Sequence, residues 1–345
     1  MLTNIFEKLK QNEELWSLFT SKEEYTPLFL DKHERFPYYL SMHRNIFEPK
    51  VSKFLVENGL KIEIQENKKF VVCLTHDIDM IYISKKIYHC LRALNYRQFK
   101  QAFKILFSDL NREWNQLWNF KYIMELEEKY NAKSSFYLLA LNRSNLHFNY
   151  EIEDLKNELG NIIDKGWEVG LHGGYEAYNN LDEILEEKKR LEKVLCKDVI
   201  GYRNHYLRFK IPDTWILLEK AGFKYDTTFA YADCVGFRNG MCHPFKPFNL
   251  KTNKEIEIYE IPLTIMDNTL FEKMGLDLSK AWNLTKMLID TVEKYNGVIT
   301  ILWHNTSMIG DTLKFYEKIL KYCYEKNAWM TSCEEVWRWW SKYTE

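Results

Sequence analysis

Charged and imidazole side chains recur in this sequence at the ends of short apolar runs. These runs end in the segments THDID (75–79), LHGG (171–174), YRNHY (202–206) and LWHN (302–305). Packing alone does not favour aspartate, arginine or histidine beside buried apolar residues. Their recurrence at several equivalent positions therefore indicates one shared site rather than a series of unrelated turns.

The residue types in these segments are those of a hydrolytic metal site. Carboxylate and imidazole side chains bind a divalent metal such as zinc and leave coordination positions open for water and substrate. A second carboxylate can remove a proton from the attacking water, and a histidine from another strand can protonate a departing amine. The set predicts metal-assisted hydrolysis of an amide or an ester.

The elements that position these groups alternate regularly from about residue 69 onwards. Strand-like apolar runs span residues 70–77, 133–140, 167–173, 199–205, 224–231, 256–263, 298–305 and 328–332. Amphipathic helical patterns span residues 151–165, 182–195, 212–221, 279–294 and 312–326. Apolar strands that alternate with helices are typical of a parallel sheet covered on both faces, and seven or eight such units predict an α/β barrel. In such a barrel the chemistry lies at the C-terminal ends of the strands, where the polar segments fall.

The first part of the chain lacks this alternation. We predict that residues 1–64 form a mostly helical and irregular N-terminal extension, followed by a barrel domain over residues 65–345. The sequence of the extension contains no motif that indicates a function.

Composition excludes several classes of protein. Lys and Arg (48) balance Asp and Glu (49), whereas a protein that coats nucleic acid or an anionic membrane needs a basic excess. The longest apolar stretches are far shorter than the roughly 20 residues of a spanning helix, and the first residues do not resemble a signal peptide. The 7 cysteines are odd in number and show no CxxC pair, which favours a reducing setting. We expect a cytoplasmic protein without a nucleic-acid partner or a transmembrane segment.

The ordered motifs resemble those of the polysaccharide deacetylase (NodB-homology) family, carbohydrate esterase family four, over roughly residues 69 to 340. THDID resembles the family's first motif in a variant with one residue between its two aspartates. This match implies that Asp77 is the catalytic base and Asp79 a metal ligand. GLHGG (170–174) resembles the second motif, which implies that His172 is a metal ligand.

The three remaining motifs follow in the family's order. GYRNHY (201–206) resembles the third, which implies that Arg203 orients and charges the base. YDTT (225–228) resembles the fourth, which implies that Asp226 lies near the site wall and helps to orient a histidine. ILWHN (301–305) resembles the fifth, which implies that His304 is the general acid. The family's fold is a distorted, TIM-like (β/α)7 barrel, in agreement with the strand count above.

The sequence departs from the family's pattern at one metal ligand. The second motif usually has two histidines four residues apart, whereas this chain has Glu176 at the second position and His205 where the third motif usually has proline. Three hypotheses stay open. His205 completes an Asp79–His172–His205 site, Glu176 coordinates instead, or the metal site is weakened or absent in an inactive relative. The first is the leading hypothesis, with Zn²⁺ as the expected ion.

Two further histidines are interpreted as structural. His76 is adjacent to Asp77 and points to the opposite face of a strand. His243 lies in the segment GMCHPFKPF (240–248), which we interpret as a packed loop, with contact to a sugar phosphate as the alternative.

The resemblance implies a metal-dependent carbohydrate N-deacetylase that removes an N-acetyl or other acyl group from an amino sugar. Because we expect an intracellular protein, we expect a precursor as substrate, such as a nucleotide-activated or lipid-linked sugar of surface-polysaccharide assembly. Two alternatives remain. One is another amidohydrolase on the same fold, such as a deformylase or a ureide- or imide-cleaving enzyme. The other is an inactive sugar-binding relative.

Overall fold

A computed structural model describes residues 2–65, 68–83, 86–95, 97–108 and 114–344 of the chain. Its framework is a sheet of nine parallel strands with helices packed around it. These strands are β1 (Val71–Ile78), β2 (Ser135–Leu139), β3 (Glu168–Gly173), β4 (Gly201–Asn204), β5 (Tyr225–Asp226), β8 (Tyr259–Glu260), β9 (Leu263–Met266), β10 (Val298–Leu302) and β11 (Trp329–Thr331). Two short strands, β6 (Phe248–Asn249) and β7 (Lys254–Glu255), form a separate antiparallel pair.

Helices cover the sheet and precede it. They are α1 (Leu2–Gln11), α2 (Glu13–Phe19), α3 (Lys50–Glu57), α4 (Lys86–Asn95), α5 (Phe99–Leu106), α6 (Phe120–Glu128), α7 (Lys156–Asp164), α8 (Leu181–Leu195), α9 (Asp213–Lys220), α10 (Leu278–Lys294), α11 (Gly310–Glu325) and α12 (Cys333–Thr344). Helices α7 and α9 are followed by Gly166 and Gly222, whose φ angles of 81° and 79° are the left-handed values that favour glycine at a helix end. None of the helices within these described ranges is both long enough and apolar enough to cross a bilayer.

The sheet curls into a barrel. Its hydrogen-bonded order is β8-β5-β4-β3-β2-β1-β10-β9, with β11 also paired to β1. The two outermost strands of this order are neighbours in the chain, because only Ile261 and Pro262 separate β8 from β9. Three Cα–Cα steps span at most about 11 Å, so the two edges of the sheet lie close together. The predicted α/β class and distorted barrel are confirmed.

The central strands are buried throughout, which explains their continuous apolar sequences. Every residue of β1, β2, β3 and β10 is buried, as expected for parallel strands covered on both faces. The apolar run 256–263, however, is not one strand. It divides at Pro262, which has no N–H to donate to a sheet ladder.

The N-terminal extension packs on the barrel. The backbone N–H groups of Val51 and Ser52 donate to the carbonyl oxygen of Gly240, at 3.0 and 3.1 Å. A buried ion pair joins Glu24 to Arg238 in the loop that follows β5. The division of the chain after residue 64 stays a prediction.

Candidate active site

Five of the predicted side chains meet at the C-terminal ends of the strands. Asp77 and Asp79 lie at the end of β1, His172 on β3, and His205 and His304 directly after β4 and β10. Together they line a cavity of about 260 Å³. The position agrees with the general rule that barrel sites form at this end of the strands.

Three of these side chains converge as metal ligands would. One ligand atom from each of Asp79, His172 and His205 lies within 4.8 Å of the others. Oδ1 of Asp79 is 3.3 Å from Nε2 of His172 and 3.7 Å from Nε2 of His205. Oδ1 of Asp79, Nε2 of His172 and Nδ1 of His205 are buried without a hydrogen-bond partner among the described residues. One carboxylate and two imidazoles suit a divalent ion such as zinc, with positions left for water and substrate.

The backbone orients one of these ligands. Nδ1 of His172 lies 3.0 Å from the carbonyl oxygen of Arg203, so this nitrogen carries the proton and donates. Its Nε2 lone pair is thereby directed towards Asp79, which is the arrangement that metal-binding histidines adopt. Burial lowers the pKa of His172, but the charges of Asp77 and Asp79 outweigh it and raise the pKa in the metal-free protein.

The charge states of the other two ligands, Asp79 and His205, favour coordination. Burial alone would raise the pKa of Asp79, but His205, His172 and His304 hold it well below its ordinary value. Burial lowers the pKa of His205 to about 4, despite the nearby Asp79 carboxylate. An ionised carboxylate and a neutral imidazole are the forms that bind a metal.

The predicted base is held by a buried guanidinium. Nη1 of Arg203 donates to Oδ1 of Asp77 at 3.0 Å and to Oγ1 of Thr75 at 2.7 Å. Nε of Arg203 donates to the backbone oxygen of Thr227 at 3.1 Å, which fixes the plane of the guanidinium. Arg203 therefore orients Asp77 and places a positive charge beside it. The other oxygen, Oδ2 of Asp77, lies 3.7 Å from Nε2 of His172.

The predicted acid has a carboxylate partner that the sequence analysis missed. Oδ1 of Asp267 lies 2.6 Å from Nδ1 of His304, and Oδ2 of Asp267 accepts the backbone N–H of the same residue at 2.9 Å. Although burial opposes it, this carboxylate raises the pKa of His304 to about 10 in the metal-free protein. His304 therefore carries a proton at neutral pH, with Nε2 3.8 Å from Oδ2 of Asp79. Asp267 directly follows the apolar strand β9, so the strand-end signal was present in the sequence.

The structure places Asp226 near the wall of the site but does not bring it into contact with His304. Its Oδ1 accepts a hydrogen bond from Oγ1 of Thr228 at 2.6 Å, and it faces Glu260 across the β5–β8 pair. Asp267, not Asp226, contacts the imidazole of His304. The fourth motif thus lies in the buried wall behind the cavity.

The alternative ligand Glu176 lies outside the cluster. Its Oε2 accepts from Nη1 of Arg208 at 2.9 Å, and its side chain is 59% exposed. The residue four positions after His172 is therefore part of a surface ion pair, and the geometry brings His205 to the ligand position instead.

The N-terminal extension contributes two residues to the cavity wall, His33 and Arg35. Nη1 of Arg35 donates to the backbone oxygen of Tyr206 at 2.7 Å, and both Nε and Nη2 donate to Oδ2 of Asp31. Tyr206 and Leu207 have left-handed φ angles of 61° and 53°, which bulky side chains rarely adopt. The extension therefore supports the strained turn that carries His205. No local sequence pattern links two segments so far apart.

The two histidines interpreted as structural are buried and hydrogen-bonded. Nδ1 of His76 lies 2.7 Å from the carbonyl oxygen of Trp303, and its Nε2 lies 2.8 Å from Oε1 of Glu127. His243 contacts Oγ of Ser52 and the carbonyl oxygen of Tyr295. The packed-loop interpretation of residues 240–248 agrees with these contacts.

Comparison with known proteins finds relatives by structure only. No family model matches the sequence, and no curated protein matches it either. A Mycobacterium smegmatis protein designated a polysaccharide deacetylase aligns with a TM-score of 0.54 and 16% identity, over 80% of this chain and 92% of that chain. Peptidoglycan deacetylase PdaC from Bacillus subtilis aligns with a TM-score of 0.39 and 13% identity, over 81% of this chain and 96% of that chain. A CE4 family pseudoenzyme from Bacillus anthracis aligns with a TM-score of 0.38 and 14% identity, over 79% and 66%.

These alignments concern architecture. The chain has the α/β barrel fold of the polysaccharide deacetylases, and the resemblance inferred from the five motifs is confirmed at the level of the fold.

Proposed function

We propose that this chain is a metal-dependent carbohydrate N-deacetylase, which hydrolyses the amide between an acyl group and an amino sugar. One observation carries the proposal. Asp79, His172 and His205 form a cluster with buried atoms that lack hydrogen bonds. This cluster lies between Asp77, which is held by Arg203, and His304, which is held by Asp267. These are the parts that hydrolysis of an amide requires.

The residues divide the chemistry among them. A divalent cation, for which Zn²⁺ is our candidate, would polarise the acyl carbonyl and lower the pKa of a water molecule. Asp77, oriented by Arg203, accepts a proton from the attacking water as its oxygen bonds to the acyl carbon. His304, protonated because of Asp267, donates a proton from Nε2 to the amine nitrogen as the C–N bond breaks. The products are a free amino sugar and a carboxylic acid.

The cavity is of a size suited to one sugar unit. Its volume of about 260 Å³ lies just below the roughly 300–1,000 Å³ of typical small-molecule sites. His33, Arg35, Glu272 and Lys273 also line it. We therefore propose an N-acylated amino sugar in a cytoplasmic biosynthetic precursor, either nucleotide-activated or lipid-linked, as the substrate.

Acyl release from a panel of N-acetyl and N-formyl amino sugars tests this function. We expect Zn²⁺- or Co²⁺-loaded protein to release acetate, a chelator to stop the release, and added metal to restore it. Asp77→Asn should lower the rate by about 10²–10⁴-fold, because it removes the proton acceptor. The matched control Asp311→Asn changes an exposed aspartate on α11 and should leave the rate unchanged.

Other outcomes would contradict the proposal in distinguishable ways. Release of formate or ammonia instead of acetate would indicate a different amidohydrolase on this fold. Glycan binding without metal binding or acyl release would indicate an inactive sugar-binding relative. Near-normal acetate release by Asp77→Asn would refute the role of Asp77 as base.

A further inference from the structure

Helices α4 and α5 form a hairpin inserted between β1 and β2, and its charge is of one sign. Between Asp79 and Asp109 the sequence has no acidic residue. The same stretch contains six basic residues, namely Lys85, Lys86, Arg92, Arg97, Lys100 and Lys104. The chain as a whole has a net charge of −1, so this concentration is a local property.

The hairpin has an inner face that holds it together. Ala93 of α4 and Ala102 and Ile105 of α5 are buried in one small cluster, with Cys90 packed against it. These contacts use one side of each helix.

Each helix exposes an apolar stripe on a side next to this inner face. The positions follow the helical spacing i, i+4, i+7, and the exposed fractions range from 39% for Leu94 to 73% for Ile87. The stripes consist of Ile87, Leu91 and Leu94 on α4, and of Phe99, Phe103 and Leu106 on α5. Soluble surfaces rarely expose apolar side chains in a contiguous stripe, so these two stripes indicate a binding surface.

Basic side chains accompany the stripe on α5. Lys100 and Lys104 are exposed, and each directly follows an exposed phenylalanine of the stripe. Apolar residues beside lysines are typical of helices that lie in a membrane interface, where the apolar face enters the lipid and the ammonium groups meet anionic headgroups. Helices of 10 and 8 residues are too short to span a bilayer, so the hairpin would lie in its plane.

Charge favours a lipid surface over a protein as the occupant. Lysine is depleted from protein–protein interfaces, whereas each basic residue near an anionic leaflet adds to membrane attraction. A stretch of 29 residues (80–108) without one acidic side chain complements a uniformly negative surface. A protein partner would need an unusually acidic patch of matching extent.

The base of the hairpin lies beside the candidate active site. The chain enters it two residues after Asp79, at Ile81, whose carbonyl oxygen accepts from Nδ2 of Asn115 at 2.6 Å. A second group of exposed apolar side chains flanks the cavity-lining residues His33 and Arg35. This group consists of Leu28, Phe29, Leu30, Tyr39, Leu40 and Met42.

We propose that the α4–α5 hairpin is a membrane-docking element that binds an anionic lipid surface. Docking through this hairpin would bring the cavity to the headgroup layer and would favour a lipid-linked amino sugar as substrate. Only this last step rests on the proposed deacetylase function. The docking itself rests on the charge and exposure of the hairpin.

Vesicle co-sedimentation of the full chain tests the docking without any activity assay. We expect binding to vesicles of equal parts phosphatidylglycerol and phosphatidylcholine, and little binding to phosphatidylcholine alone. The double variant Lys100→Gln/Lys104→Gln should bind about thirtyfold more weakly, because two basic contributions near the surface are lost. Phe99→Ser/Phe103→Ser should weaken binding at least about tenfold, because the apolar insertion is lost.

A matched control separates docking from total charge. Lys314→Gln/Lys321→Gln removes the same charge from α11, where both lysines are exposed, and should bind like the wild type. Metal content should be the same in all variants, because none of the changed residues touches Asp79, His172 or His205. A protein that binds vesicles but releases no acyl group would support docking and refute only the proposed enzyme.

Three results would overturn the proposal. The first is no binding to anionic vesicles, and the second is equal loss of binding in the hairpin and α11 variants. The third combines two observations. The wild type is a dimer in analytical ultracentrifugation and Phe99→Ser/Phe103→Ser is a monomer, yet both bind vesicles equally well. That last result would assign the stripe to a second copy of this chain.

Discussion

Strand β1 carries a histidine–carboxylate cluster on each of its two faces, and the clusters differ in how their polar atoms are satisfied. On one face, Glu127 receives hydrogen bonds from every side. Its Oε1 lies 2.8 Å from Nε2 of His76 and accepts from Tyr316 at 2.7 Å, and its Oε2 accepts from Ser134 and Trp167 at 2.8 and 2.7 Å. Both carboxylate oxygens of Glu127 are therefore satisfied by hydrogen bonds within the protein.

The other face combines the same residue types without satisfying them. Oδ1 of Asp79, Nε2 of His172 and Nδ1 of His205 are buried and lack hydrogen-bond partners among the described residues. A buried polar atom left in this state costs about 1–3 kcal/mol. A natural fold keeps such atoms together where another group binds them, and the contrast across one strand therefore distinguishes a structural cluster from a candidate metal centre.

Removal of a ligand from the unsatisfied cluster should have the largest effect on metal binding. His205→Ala should lower the affinity for Zn²⁺ by more than about a hundredfold, because loss of an outer-sphere partner alone costs 10–100-fold. The matched control Glu176→Ala should retain full metal content, since Glu176 is paired with Arg208. Mass spectrometry of metal-loaded protein and competition with a chelating dye measure both.

The same variant should not unfold more easily when metal is absent. His205→Ala removes a buried polar group without a partner at Nδ1, so the metal-free variant should be at least as stable as the metal-free wild type. Equal metal content in His205→Ala and the wild type would refute the proposed ligand set.

The satisfied cluster should respond in the opposite way. Glu127→Ala should lower the free energy of unfolding by about 4 kcal/mol, because it leaves His76, Tyr316 and Trp167 without their acceptor. Metal content should not change. Urea unfolding measures the loss, and Glu128→Ala, an exposed neighbour on α6, should stay within about 0.5 kcal/mol of the wild type. If Glu127→Ala lost metal but kept its free energy of unfolding, the cluster around Glu127 would not be the structural one.

The parts that the sequence predicted are those with local or repeated signals. Apolar runs that alternate with helices indicated the barrel, because burial on both faces produces such runs. The strand-end motifs indicated Asp77, Asp79, His172 and His304, because a barrel brings the ends of its strands to one face. The sequence left both His205 and Glu176 as possible third metal ligands. Only the structure shows that His205 lies near Asp79 and His172, whereas Glu176 pairs with Arg208.

The features that the sequence did not reveal are contacts between distant segments, a break within an apolar run, and a local charge hidden in the net charge of the chain. Arg35 supports Tyr206, 171 positions away in the chain, and such a contact has no local pattern. The apolar run 256–263 predicts a single strand that ends before Asp267. In the structure Pro262 divides this run, and Asp267 follows a second strand, β9. The net charge of −1 predicts no binding to an anionic membrane. This sum over the whole chain hides the stretch of 29 residues (80–108) that is basic and has no acidic side chain.

The smallest expected effect concerns the ion pair between Asp267 and His304, which lines the candidate active site. In the folded, metal-free protein the pKa of His304 is raised from 6.5 to about 10, so the ion pair stabilises the fold fully below about pH 6.5 and loses this contribution as pH rises towards 10. Asp267→Asn should therefore lower the free energy of unfolding by about 2 kcal/mol at pH 6, and by progressively less from pH 7 to pH 10. In a His304→Gln background the same substitution should show no such pH dependence. Urea unfolding of chelator-treated protein across this range measures the window, and a pH-independent loss would show that Asp267 acts on packing rather than on the proton of His304.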